Sequence, residues 1–117
     1  MDALHAAMTL AILAQEARVD IFRMLAREEL TATRLASVLR LSRSTVVAHL
    51  ATLEIAELVT RRRAGASTYY SANLSHIHSV LDILIADCCG GRPELCEPTL
   101  SDLRRHFELG NLMSPMG

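Results

Sequence analysis

Residues 3–14 are apolar around most of a helical circumference. Leu4, Ala7, Met8, Ala11 and Ile12 recur at helical spacing and form one stripe, while Leu10, Leu13 and Ala14 lie off it. A helix that is apolar on so many sides needs cover on more than one of them. Residues 16–27 predict a second helix, with Val19, Ile21, Phe22 and Leu25 turned inward and Arg18, Arg23 and Arg27 in solvent. Thr31 opens a short helix reaching Leu39, with Leu35, Val38 and Leu39 facing in. Ser42 is a suitable N-cap for the next helix, which extends to about residue 57. Val46, Leu50 and Leu53 are spaced as its buried seam, and Arg43, Ser44, Thr45, His49 and Thr52 fall on its other side. Only Arg40-Leu41 separates these two helices, the tight connection of a helix-turn-helix.

The period changes after Leu58. Val59-Thr60-Arg61-Arg62-Arg63 and Ser67-Thr68-Tyr69-Tyr70-Ser71 are β-prone and bracket Ala64-Gly65-Ala66, which predicts a hairpin. A last strong helix starts at Ser75, with Ile77, Val80, Leu81 and Leu84 on one stripe and Ile83 and Ile85 beside it. It ends near Cys88-Cys89-Gly90-Gly91, since two successive glycines favour termination. Pro93 and Pro98 keep the next stretch irregular, residues 99–108 form at most one more helix, and the tail 111–117 frays. The domain organisation expected is therefore 1–98 as a DNA-binding and dimerisation domain and 99–117 as a partly helical C-terminal extension.

This order of elements is that of a winged helix-turn-helix, mainly α with a small β-hairpin wing (α+β). The helix after Ser42 then enters the major groove and the Arg-rich hairpin touches the flanking backbone. A small helical bundle with a solvated charged hairpin is the plainer alternative. It accounts less well for short polar groups, rather than Glu and Lys, on the exposed face of the second helix-turn-helix helix, or for three consecutive Arg beside a Gly-containing turn. Arg43, Ser44, Thr45 and His49 are the groove candidates. Arg43 serves equally well on a phosphate, and His49 equally well as a cap on a neighbour. Arg61, Arg62 and Arg63 alternate faces on a strand, so at most two of them track the DNA backbone.

Charge and composition sharpen this picture. The net charge is −1, yet residues 33–63 carry six Arg against Glu54 and Glu57, while the chain from Asn73 onward carries three Arg against six acids. All 12 basic residues are Arg, the cation suited to bidentate phosphate and base-edge contacts, although a high genomic GC content explains that bias equally well. A length of 117 residues predicts one domain. With 50% apolar residues in so small a domain, the excess is expected to be hidden in a second copy, a homodimer. The apolar start is shorter than a membrane span and lacks the pattern of a secretory signal, so no membrane partner and a cytoplasmic location are expected. Thiols stay reduced there, which makes the three Cys ligands or redox groups rather than a disulfide framework.

The segments EARVDIFRML (16–25), LSRSTVVAHL (41–50), ELVTRRR (57–63) and Thr68 to Tyr70 resemble the ArsR/SmtB family of metal-responsive repressors over about residues 1–90. The resemblance implies a homodimeric winged helix whose first and last helices form the dimer interface, and repression of a resistance operon that metal or metalloid relieves. Many members carry Cys-x-Cys at the start of the third helix. Thr31 and Thr33 stand at the corresponding positions here, so that site is missing. Val47 and Ala48 also replace the polar or basic residues that the family often has in its recognition helix.

Three cysteines within nine residues, Cys88, Cys89 and Cys96, take the place of that site. Thiolates are soft and select thiophilic ions. Trivalent arsenic is three-coordinate and pyramidal, so three sulfurs complete its shell, and arsenic(III) or antimony(III) is the expected inducer, with no organic cofactor. Gly90-Gly91 lets the chain fold back to bring Cys96 to the pair. The segment also resembles the C-terminal cysteine sites of arsenite-responsive members. Zinc or cadmium is the rival, zinc with a fourth ligand from His76, His78 or His106. A thiol redox switch pairing Cys96 with Cys88 or Cys89 is another, and a vicinal Cys88–Cys89 disulfide is strained. A small thiol reductase is the alternative from a different class. The chain has no phosphate-binding Gly loop and no Ser nucleophile elbow, and an enzyme is not expected.

Overall fold

The computed structural model describes residues 1–88. Each of its five helices begins where a side chain accepts a hydrogen bond from an amide of the first turn, which otherwise has no partner inside the helix. Asp2 caps α1 (Ala3–Leu13), Gln15 caps α2 (Glu16–Arg27), Thr31 caps α3 (Ala32–Leu39) and Ser42 caps α4 (Arg43–Ile55). Asn73 does the same for α5 (Leu74–Cys88), its Oδ1 accepting from the amide of His76. The strands are β1 (Leu30–Thr31), β2 (Val59–Ala64) and β3 (Ser67–Ala72). Cys88 is the last residue of α5, whereas Cys89, Cys96, His106 and the extension 99–117 lie outside the described residues.

The core is aliphatic. Ile21 and Leu25 of α2, Leu35 of α3 and Val46, Leu50 and Leu53 of α4 meet Leu58 and Val59 at the root of the hairpin. The seam expected on α4 is thus the buried one. Two residues with positive φ shape the approach to it. Arg40 (φ 57) ends α3 in the left-handed conformation, and its amide and that of Leu41 both reach the Ala36 carbonyl. Glu57 (φ 62) turns the chain after α4 so that Leu58 enters the core and donates to the Leu53 carbonyl at 2.9 Å. Gly65 (φ 62) gives the hairpin its tight turn, opposite the closing pair Ala64 and Ser67.

The sheet has the order β1-β3-β2, all antiparallel. The hairpin is the expected one. The third strand is not, because Leu30 and Thr31 add a two-residue edge by pairing with Tyr70 and Tyr69. That pairing ties the wing to the α2–α3 connection.

Two positions expected to face inward are exposed, Val19 and Val38, and so is Leu81 of the apolar stripe on α5. On α3 the small residues Ala32 and Ala36 are buried instead of Val38. On α1 the stripe through Leu4 and Met8 is an exposed side. Ala6 and Thr9 form its buried face, and α1 packs against α5, while Leu4 and Met8 are 70% and 61% exposed. Together with Leu74 and Leu81 of α5, they leave large apolar side chains of α1 and α5 uncovered by the described residues.

Candidate nucleic-acid interface

The helix-turn-helix presents the first turn of α4 to solvent, with Arg43, Ser44 and Thr45 all exposed. Ser42 organises this turn: its Oγ accepts from the Thr45 amide at 3.1 Å, donates to Thr45 Oγ1 at 2.7 Å, and lies 3.2 Å from Ser44 Oγ. Arg43 is held from the side, its Nε donating to Thr33 Oγ1 at 3.3 Å. Free amides and the helix dipole make such an N-terminus favourable for phosphate, and the guanidinium adds charge at the same place. Thr33 therefore orients Arg43 beside the exposed first turn of α4. Its contribution was invisible in the sequence because the pair is ten residues apart and follows no helical spacing.

His49, the fourth groove candidate, lies one turn further on and is half-buried. Its Nδ1 accepts from Arg18 Nε at 3.4 Å, and the Nη1 of the same guanidinium donates to the Ile12 carbonyl at the end of α1 at 2.9 Å. Arg18 was expected in solvent but is half-buried between three helices. Of the two roles open to His49 in the sequence, the structure shows the contact with a neighbour.

The wing divides its three arginines. Arg61 and Arg63 share one face of β2 and, with Thr68, line a shallow cleft of about 260 Å³. Arg61 Nε also meets Glu54 Oε1 of α4 at 3.1 Å. Arg62, on the opposite face, makes two charge-assisted hydrogen bonds to Glu29 and lies over the Tyr69 ring. Hydrogen bonding and charge from Arg62 hold the Glu29 carboxyl below its ordinary pKa, and Glu29 holds Arg62 above its own. Arg63 makes no ion pair among the described residues. A cleft of about 410 Å³ separates the start of α4 from the wing, and Thr31, Thr33, Arg43, Ser67 and Thr68 bring polar groups to it.

No group of three or more His, Cys, Asp and Glu side chains is placed to hold a metal among the described residues. Thr31 is occupied as the cap of α3, and Thr33 with Arg43. His76 is mostly buried, with Nε2 3.8 Å from Glu57 Oε2, whereas His78 is exposed. The two histidines diverge on α5, as neighbours two apart on a helix must.

The family model of bacterial regulatory proteins of the arsR family matches residues 15–61, from the cap of α2 into β2. Among solved structures, HlyU from Vibrio cholerae is 30% identical, with 72% of this chain and 92% of HlyU covered and a TM-score of 0.59. The chain belongs to the ArsR family. A possible transcriptional regulator for arsenical resistance is also 30% identical, covering 66% of this chain and 83% of its own, with a TM-score of 0.58. The homodimeric winged helix-turn-helix DNA-binding domain of a possible ArsR-family regulator from Mycobacterium bovis has the same fold at 22% identity. It covers 80% of this chain and 83% of its own, with a TM-score of 0.59. No curated protein matches the sequence. ArsR-family proteins are DNA-binding transcription regulators, not enzymes. No helix of the described residues is long and apolar enough to cross a membrane.

Proposed function

We propose that this ArsR-family protein is a cytoplasmic, homodimeric repressor that leaves its operator when arsenic(III) engages Cys88, Cys89 and Cys96. The observation that carries this reading is the cysteine spacing: three thiols within nine residues, the first ending α5, the helix packed on α1. Three soft donors suit a three-coordinate, thiophilic semimetal, arsenic(III) or antimony(III), better than they suit zinc, which wants a fourth ligand. The hydroxyls of Thr31 and Thr33 offer no comparable donors at α3. A relative at 30% identity, described as a possible regulator for arsenical resistance, supports the same inducer.

The dimer is built through α1 and α5, whose uncovered Leu4, Met8, Leu74 and Leu81 supply apolar surface. The Mycobacterium bovis domain with this fold is described as homodimeric. Two-fold symmetry then sets the recognition helices about one DNA turn apart, ~34 Å. Arg43, Ser44 and Thr45 face the major groove, with Arg61 and Arg63 on the flanking backbone. Drawing the three thiols into one shell re-forms the end of α5 beside the dimer interface and changes the spacing of the two heads. By linkage, operator DNA lowers inducer affinity by the same factor.

The test is arsenite titration of the DNA complex, followed by fluorescence anisotropy, for the wild type and for Cys88→Ser, Cys89→Ser and Cys96→Ser. Release by arsenite, a three-sulfur arsenic shell in X-ray absorption and loss of response in the variants are expected. Unchanged midpoints in all three variants overturn the site. Release by zinc, cadmium or peroxide in place of arsenite assigns the thiols to another signal.

A further inference from the structure

The Arg18 guanidinium touches two elements at once. Through Nη1 it binds the Ile12 carbonyl, one of the carbonyls that the end of α1 leaves without a helical partner, and through Nε it binds His49 Nδ1 on α4. The end of one terminal helix is thereby joined to the helix that carries the DNA-facing residues. We propose that Arg18 is a positioning residue for DNA binding, seating α4 against the end of α1 through the Nδ1 of His49. This rests on α4 being the DNA-reading helix.

The chemistry of the contact is specific. Arginine has donors only, so His49 must present an unprotonated Nδ1, and the proton of the neutral ring then sits on Nε2. Among the described residues the one buried side-chain nitrogen or oxygen without a partner is His76 Nε2. His49 Nε2 makes no hydrogen bond among the described residues either. His49 therefore has two separable ends, Nδ1 toward Arg18 and Nε2 away from it. No carboxylate oxygen lies within 4.0 Å of either His49 ring nitrogen among the described residues, and Arg18 is the charged group bonded to it.

Two amide substitutions separate the ends. In His49→Asn, Oδ1 occupies the place of Nδ1 and still accepts from Arg18, but nothing replaces Nε2. In His49→Gln, the terminal amide reaches the place of Nε2, and the acceptor toward Arg18 is lost. The probe is a duplex selected from a random-sequence pool by the wild-type protein, with binding measured at a temperature where circular dichroism shows each variant folded. His49→Asn is expected to bind within about threefold of wild type, and His49→Gln and Arg18→Ala about tenfold more weakly, the scale of a hydrogen bond to a charged group. The double variant Arg18→Ala/His49→Gln is expected to bind no more weakly than Arg18→Ala, because both remove one contact. The reverse order, with His49→Gln the better binder, overturns the proposal and makes His49 a direct DNA contact through Nε2. The ordering of the two His49 variants decides the matter even if Arg18→Ala fails to fold. If the wild-type protein selects no duplex, it is the DNA-reading role of α4 that fails.

Discussion

Glu29 and Arg62 meet side-on across 33 residues of sequence, with Nε 3.0 Å from one carboxylate oxygen and Nη2 2.7 Å from the other. Ser71 Oγ adds a third donor at 3.4 Å, and the guanidinium lies 5.2 Å from the centre of the Tyr69 ring. The wing is thus fastened to the α2–α3 connection by side chains as well as by β1. The hydrogen bonds from Arg62 are the largest cause of the lowered Glu29 pKa, so a carboxyl titration by NMR is expected to give a midpoint below the ordinary 4.5, returning toward it in Arg62→Gln. A carboxylate whose pKa is depressed on folding contributes stability that is fully present above its unfolded pKa and is lost as pH falls through the folded one. The melting temperatures of wild type and Glu29→Gln are therefore expected to differ more at pH 7 than after acidification past the folded midpoint. Both side chains are solvent-exposed, so the difference is small at any pH.

Pairing also separates the arginines of the wing in their contribution to DNA binding. Arg63 has no carboxylate partner among the described residues, and Arg62 has two hydrogen bonds to one. Arg63→Ala is expected to weaken binding across DNA sequences and to reduce the slope of log affinity against log salt by about one per protomer. Arg62→Ala is expected to leave that slope nearly unchanged, since its charge is already neutralised by Glu29. Equal slopes for the two variants would remove the distinction.

The uncovered face of α1 makes a prediction about assembly. Met8→Glu places a charge among apolar side chains that a second copy is proposed to cover, while Met8 itself is 61% exposed within one chain. Sedimentation is expected to show the variant shifted toward monomer at concentrations where the wild type is dimeric, with its helical content retained. A variant as dimeric as the wild type would place the dimer contact elsewhere.

Much of this architecture could be read from the residues alone, and the exceptions have physical reasons. The bounds of α2 followed from its apolar spacing, the start of α4 from the Ser42 cap, and the seam of α4 from Val46, Leu50 and Leu53 on one side. Helix α1 gave no such direction. It is apolar all round, so spacing pointed to the large Leu4 and Met8, whereas close packing on α5 selected the small Ala6 and Thr9. Strand β1 was missed because two residues carry no period, and only the exposed edge of Tyr69 and Tyr70 makes Leu30 and Thr31 a strand. In the interface, the exposed start of α4 and the alternation of the wing arginines were legible. The partners that orient them, Arg18, Thr33 and Glu29, were not, because each acts across a tertiary contact between distant segments.

With β3 in the middle of the sheet, β2 offers its outer row of amides and carbonyls to no other strand among the described residues. An open row of that kind invites further strands, from other molecules as readily as from the same one, and natural proteins blunt it with charge. Arg61, Arg62 and Arg63 stand consecutively on that strand. Any like strand approaching it brings the same arginines in return, of which Arg63 makes no ion pair among the described residues. The basic run thus doubles as a guard against sheet-wise clumping, so that neutralising it for the sake of weaker DNA binding carries a second cost, in solubility.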